Sequence, residues 1–328
     1  MRVCFLTPSL PAADAIERYA RRLGAVVDQA PPDGEFDVAV ATDWTTTARL
    51  FEVRARRHAF WVDHFAHRRM GTWQAERFAA QLAYDLPVDF LAAAPWVQRT
   101  LAELRPEARC ELVTSGAPQA PAGEAARSAA AAPLRVHLAG DGDEGAAFEA
   151  MEEPSESVAL ADADVVVMLS AVDGVLGAPL AGFAAGATAV VGPAHDAEDL
   201  VRHEENGFVA DADDPRGAAR FLDRLARDRE LLRRMRDNAR ATAAGWPTWQ
   251  QAEEAMEAAL GRLLAEDPPP QSRWPVRLMG DAIGGAAVFG REHATLTAEV
   301  HRLQAPPPPL ARRALAAVKR RAKARLNG

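Results

Sequence analysis

The sequence predicts an α/β protein of two doubly wound, Rossmann-like lobes with a C-terminal extension, and three observations lead there. Short β-branched or aromatic runs alternate with amphipathic stretches without hairpin signals, the mark of parallel sheets with helices on both faces. That alternation stops in a stretch rich in Ala, Pro, Gly and Ser, from Pro118 to Pro133, and then restarts. At 328 residues the chain has room for two units of about 120–150 residues each. The expected divisions are a first lobe over 1–120, a linker over 121–133, a second lobe over 134–266 and a Pro-rich, basic extension over 267–328.

Arg2–Thr7 reads as the first strand. Asp14–Leu23 follows as a helix, because Ile16, Tyr19, Ala20 and Leu23 share one face. Further strands are expected at Asp37–Thr42, His58–Val62, Val88–Ala94 and Cys110–Thr114. Past the linker come strands at Leu134–Gly140, Asp164–Leu169 and Thr188–Gly192, and a short extended piece at Gly207–Ala210. Asp214-Pro215 is a helix start, a capping carboxylate followed by Pro at the first helical position. Phe221, Leu222, Leu225, Leu232, Met235 and Ala239 then recur at helical spacing. A last strong helix, Gln250–Leu264, stops before Pro268.

Composition excludes several classes. With 48% hydrophobic and 26% charged residues, the chain has the make-up of a globular protein rather than a disordered one. Its net charge of −8 argues against general nucleic-acid binding. No apolar run reaches the roughly 18 residues that span a bilayer, and Pro8 breaks the opening run too early for a secretory leader. The two cysteines, Cys4 and Cys110, sit apart among apolar residues, which excludes a cysteine-based zinc site and fits a reduced, cytoplasmic location. The charge is unevenly spread: no Lys or Arg lies between Arg135 and Arg202, whereas the last residues carry Arg312, Arg313, Lys319, Arg320, Arg321, Lys323 and Arg325. Residues 310–328 would therefore suit peripheral contact with an anionic inner membrane surface, or docking on the acidic second lobe. Leu296, Val300 and Leu303, within 292–304, form a short stripe suited to self-association.

The most informative stretch runs from Ala161 to Gly186: a buried strand (Asp164–Leu169), a Gly-containing turn (Ser170, Asp173, Gly174), then Gly177, Ala178 and Pro179 opening a helix. Free amide groups at a helix start beside the strand's carboxyl end suit a phosphate. From the residues alone, the junction equally suits a turn that binds nothing.

The order of these residues resembles the retaining GT-B glycosyltransferases of family 4. The likeness continues through Ala197–Val201, Glu205–Val209, Asp214-Pro215, and Arg233, Met235, Asn238, Ala239 and Arg240, covering roughly residues 160–260. In the first lobe, Val40–Thr46, Phe60–Phe65 and Val88–Leu101 resemble a rhamnosyltransferase-like branch of that family. The resemblance implies two lobes facing a cleft and transfer of a hexosyl-type sugar from a nucleotide-sugar, with retention and without a metal or other cofactor. The acceptor would be a hydroxyl of a glycan or small molecule. Ser170, Gly174, Val175, Leu176, Gly177 and Ala178 would bind the donor, and Thr42, Asp43, Trp44, His67 and Arg68 would line the acceptor side. Asp63, His64 and Asp173 would be catalytic, although Asp63-His64 also suits a simple strand cap.

Departures from the family pattern keep a second reading open. In the loop Ala139–Gly145 acids occupy the positions where the family has Arg and Lys, or the loop that carries those cations has been shortened, and the family's second carboxylate falls on Ala181, or on Gly182. Pro11-Ala12-Ala13 replaces the first lobe's usual glycine pair. Either first-lobe arginines such as Arg68 or Arg69 supply the missing charge, or the chain is a catalytically impaired relative acting as a partner or scaffold. A two-lobed ligand-binding or epimerase-like protein is a third class, without the Glu205–Phe208 and Asn238–Arg240 landmarks.

Overall fold

The computed structural model describes residues 1–10, 13–65, 74–117, 132–139, 144–169, 177–193, 197–211 and 214–267, with 282, 283 and 285. The segments 292–304 and 310–328, and the linker through residue 131, lie outside the described residues. Residues 1–284 form one compact unit and 285–328 another; both sheets belong to the first.

The first lobe runs β1 (Val3–Leu6), α1 (Asp14–Leu23), β2 (Val26–Asp28), β3 (Glu35–Ala41), α2 (Trp44–Leu50), β4 (Arg54–Val62), α3 (Gln74–Leu82), β5 (Asp89–Ala92), α4 (Pro95–Leu104) and β6 (Cys110–Leu112). Its six strands are parallel, in the order β2-β1-β3-β4-β5-β6. Every residue of β1 and β5 is buried, as strands covered on both faces must be. Helix α1 has the bounds the sequence predicts. Its stripe of Ile16, Tyr19 and Ala20 is buried, and Gly24 ends it in the left-handed conformation, at φ 60°.

The second lobe runs β7 (Leu134–Leu138), α5 (Glu144–Glu149), β8 (Ser155–Ser157), β9 (Val165–Met168), α6 (Gly177–Ala185), β10 (Thr188–Val191), α7 (Ala197–Leu200), β11 (Gly207–Val209), α8 (Pro215–Arg227) and α9 (Arg229–Ala244). The sheet is again parallel, ordered β11-β10-β9-β7-β8. Asp214 caps α8 as expected, accepting the Gly217 N–H at 2.8 Å. The edge strands β2 and β8 are the two the sequence does not announce. Each is three residues long, and Ser155-Glu156-Ser157 carries no apolar signal; pairing with a buried neighbour makes it a strand.

One expectation fails on packing. Chain order placed the last helix in the second lobe, within 134–266. In the structure α10 (Trp249–Ala265) returns to the first, where Ala252, Met256, Ala259, Leu260 and Leu263 are buried with Val3, Phe5, Tyr19, Val38, Val40 and Trp61. Ion pairs fasten it there: Arg22 with Glu257 at 3.3 Å and Arg262 with Glu111 at 2.6 Å. The buried Arg57 also donates from Nε to the Leu263 carbonyl at 2.5 Å.

A second contact ties the lobes together. Asp199, after β10, accepts the Trp96 N–H at 2.8 Å and the Arg99 Nη2 at 2.9 Å. This second-lobe carboxylate caps α4, whose own N-cap is Ala94 and has no side chain for the purpose. Burial pushes the Cys4 and Cys110 thiols up to about 12, so neither forms a thiolate at neutral pH. No helix among the described residues is long and apolar enough to cross a membrane.

Candidate functional site

In an open parallel sheet, ligands bind outside the carboxyl ends of the strands, where strand order reverses. In the first lobe that point lies between β1 and β3. A cavity of about 980 Å³ opens there. Thr7 and Ser9 follow β1, Thr42 and Asp43 follow β3, and Asp63 and His64 follow β4; all six line it. Asp14 and Arg18 face it from α1, and Trp61 forms part of its apolar wall. The second lobe contributes Gly177 and Leu180 at the start of α6. The cavity therefore bridges the two lobes.

Both strands of chain that join the lobes line this cavity too, Ser115 and Gly116 on the way out and Thr248, Trp249 and Gln250 on the way back. They run against each other: the Ala117 N–H donates to the Pro247 carbonyl at 2.7 Å, and Trp246 Nε1 donates to the Ser115 carbonyl at 3.0 Å. A Cβ at Gly116 would lie 2.4 Å from the Trp249 Cα and 2.5 Å from its backbone nitrogen. Only backbone movement relieves such a contact. Gly116→Ala is accordingly expected to lower stability by about 1–3 kcal/mol in urea unfolding. Gly261→Ala, mid-helix and with nothing within 4 Å of an added Cβ, is the control and should instead gain up to about 1 kcal/mol from helix propensity.

The polar groups of the cavity fall into two kinds. Some are spent on the fold: the Thr42 hydroxyl donates to the Leu6 carbonyl at 2.9 Å, and Asp43 caps α2, accepting from the Thr45 N–H at 2.8 Å. A capping box with Thr46 completes that helix start. Others are paired with a neighbouring side chain on the cavity wall. His64 Nδ1 and Asp63 Oδ1 are 2.6 Å apart, and both side chains are partly exposed. With Asp63 ionised, Nδ1 carries the proton and Nε2 becomes the accepting nitrogen. Arg18 stacks on the Trp249 ring, its guanidinium carbon 4.7 Å from the centroid. It is the one arginine or lysine among the described residues lining the cavity. Among the described residues no His, Cys, Asp and Glu cluster suits a metal ion.

The structure thus brings Thr42, Asp43, Asp63, His64 and Gly177 to one cavity. Trp44 is buried at 5% exposure as the first residue of α2 and does not line it, and Ala178 packs against Ala163, Val166 and Ala187 in the second lobe. His67, Arg68, Ser170, Asp173, Gly174, Val175 and Leu176 lie outside the described residues. Sequence reasoning missed Thr7, Ser9, Arg18, Ser115 and Thr248–Gln250 at the start of α10. The rule applied to the ends of β3 and β4, extended to β1, would have found the first two.

Two doubly wound sheets with a cavity between their lobes make a GT-B fold. Residues 133–242 match the family of Glycosyl transferases group 1. Among solved structures, HepE of Anabaena in complex with UDP-glucose is similar at a TM-score of 0.64 and 14% identity, over 80% of this chain and 100% of that one. Sucrose-phosphate synthase from Thermosynechococcus elongatus is similar at a TM-score of 0.63 and 12% identity, over 80% and 99%. A glycosyltransferase from Rickettsia africae follows at 0.54 and 8%, over 81% and 99%. No curated protein matches by sequence.

Proposed function

We propose that the chain transfers a sugar from a nucleotide-sugar to a hydroxyl acceptor, with retention and without a metal. One observation carries this reading: a large cavity spans both lobes of a GT-B fold whose second lobe matches Glycosyl transferases group 1. HepE, similar in fold, has been solved with UDP and with UDP-glucose, which supports a uridine nucleotide as the first donor to try.

In this reading the diphosphate lies against the second lobe, near the start of α6 at Gly177, and Ser170 and residues 174–176 belong to the donor site as the resemblance implies. Asp173 sits beside the transferred sugar, taking the place of the family's first Glu. The acceptor hydroxyl approaches from the first lobe, where His64, oriented through Asp63, positions it by hydrogen bonding, and its proton leaves with the departing diphosphate, as retention requires; Thr42 and Asp43 border that side, and His67 and Arg68 are assigned to it by the resemblance alone.

A second reading, an impaired relative acting as a partner or scaffold, has its own observation. Glu144, at 1% exposure, accepts the Leu169 N–H at 2.8 Å. That places a carboxylate, not a cation, at the carboxyl end of β9, where the second sheet's order reverses. A carboxyl group there supplies none of the positive charge a departing diphosphate needs. Calorimetric titration with UDP, GDP, dTDP and their sugars separates the two. Binding of one nucleotide, and its release as sugar is transferred, is the expected result; no heat with any of them would leave only the scaffold.

A further inference from the structure

Arg18 is placed unlike its neighbours on the same helix. Arg22, one turn on, pairs with Glu257 of α10 and fastens the two helices. Arg18 lies on the same interface yet pairs with no carboxylate among the described residues. Its guanidinium lies over Trp249 instead, at the cavity wall. The carboxylates that share the cavity are otherwise placed: Asp43 holds its own helix start, Asp63 holds His64, and Asp14 is exposed and makes no ion pair with Arg18. A guanidinium stacked on indole loses little further freedom on binding, and its edges stay able to take two oxygens of one anion.

This cation and the helix start proposed for the donor stand on different lobes of the same cavity. Arg18 and Trp249 both pack on the first lobe, whereas the amide-rich helix start at Gly177 belongs to the second. We propose that Arg18 is a binding residue for an anionic group, phosphate or carboxylate, carried by the acceptor. The enzyme would then act on phosphorylated or acidic hydroxyl compounds rather than neutral ones. The word acceptor rests on the glycosyl-transfer reading; the anion site itself rests on Arg18 alone.

The test uses the full chain, titrated with UDP alone and with inorganic phosphate before and after saturation with UDP. In Arg18→Gln, phosphate affinity is expected to fall at least about tenfold, the loss of one charge-assisted contact, while UDP affinity stays within about twofold. Arg18→Lys keeps the charge without the fork and should recover part of the phosphate binding, which separates loss of charge from loss of packing. Unchanged phosphate affinity in Arg18→Gln overturns the proposal. So does a parallel loss of UDP affinity with phosphate and UDP competing, which would assign Arg18 to the donor. If the wild-type chain binds no UDP, the transfer reading fails, and the titration with phosphate alone still decides the site.

Discussion

Asp164→Ala is expected to cost about 3–5 kcal/mol of folding stability, the scale for removing one partner from a buried ion network. Asp164 has no exposed surface and takes bonds from two arginines on different elements: Arg236 Nη1 at 2.8 Å from α9 and Arg135 Nη2 at 3.1 Å from β7. Arg236 also donates from Nε to the Gly186 carbonyl at 2.6 Å, just past α6. The carboxylate therefore ties together two strands and two helices. Burial lowers the Arg236 pKa and the Asp164 bond raises that of Arg135, yet both remain cations at neutral pH. Without Asp164 the largely buried Arg236 guanidinium loses the carboxylate to which it is hydrogen-bonded. Urea unfolding reads the loss. Asp162→Ala, two residues earlier and exposed, should change stability by no more than about 0.5 kcal/mol. Equal effects of the two would mean that the network contributes nothing.

His64→Ala should lower sugar transfer by about 100-fold, the scale on which misplacing a reacting hydroxyl tells. The argument runs from the 2.6 Å contact with Asp63, which selects the tautomer, and from the place of both groups on the cavity wall at the end of β4. UDP should bind the variant almost as well as the parent, since its proposed seat is on the other lobe. Asp63→Asn should also slow transfer, because an amide can accept from Nδ1–H or donate to the opposite tautomer. Turnover unchanged in His64→Ala would return the Asp63-His64 pair to a plain strand cap.

Much of the architecture was legible because a strand buried on both faces must be apolar throughout. Val165–Met168 and Thr188–Val191 announce themselves in this way, as do the stripe and closing glycine of α1. What local pattern does not hold is the partner of a buried face. Met256, Leu260 and Leu263 show that α10 hides one side, but not that the side belongs to a lobe left more than a hundred residues earlier. Arg18 was hidden for the same reason, reading as an ordinary polar position until Trp249 is folded against it.

The candidate site was legible by address more than by role. Strand ends located Asp63 and His64, yet the same rule swept in Asp43, whose carboxylate serves its own helix, and Trp44, which is core. Landmarks of the second lobe likewise turn inward. Asn206 is fully buried, donating to the Leu200 carbonyl and the Thr242 hydroxyl and accepting from the Arg202 N–H. That residue shapes a turn and does not line the cavity between the lobes.

The route of α10 also has a consequence for how the protein is made. As the chain leaves the ribosome, residues 3–112 emerge first but lack the helix that covers Val40 and Trp61. The second lobe, contiguous from 134 to 244, has all of its core by the time α9 is out. The half translated earliest is thus the last to be sealed, with bare apolar sheet for the whole interval, when a nascent chain is most exposed to chaperones and to aggregation.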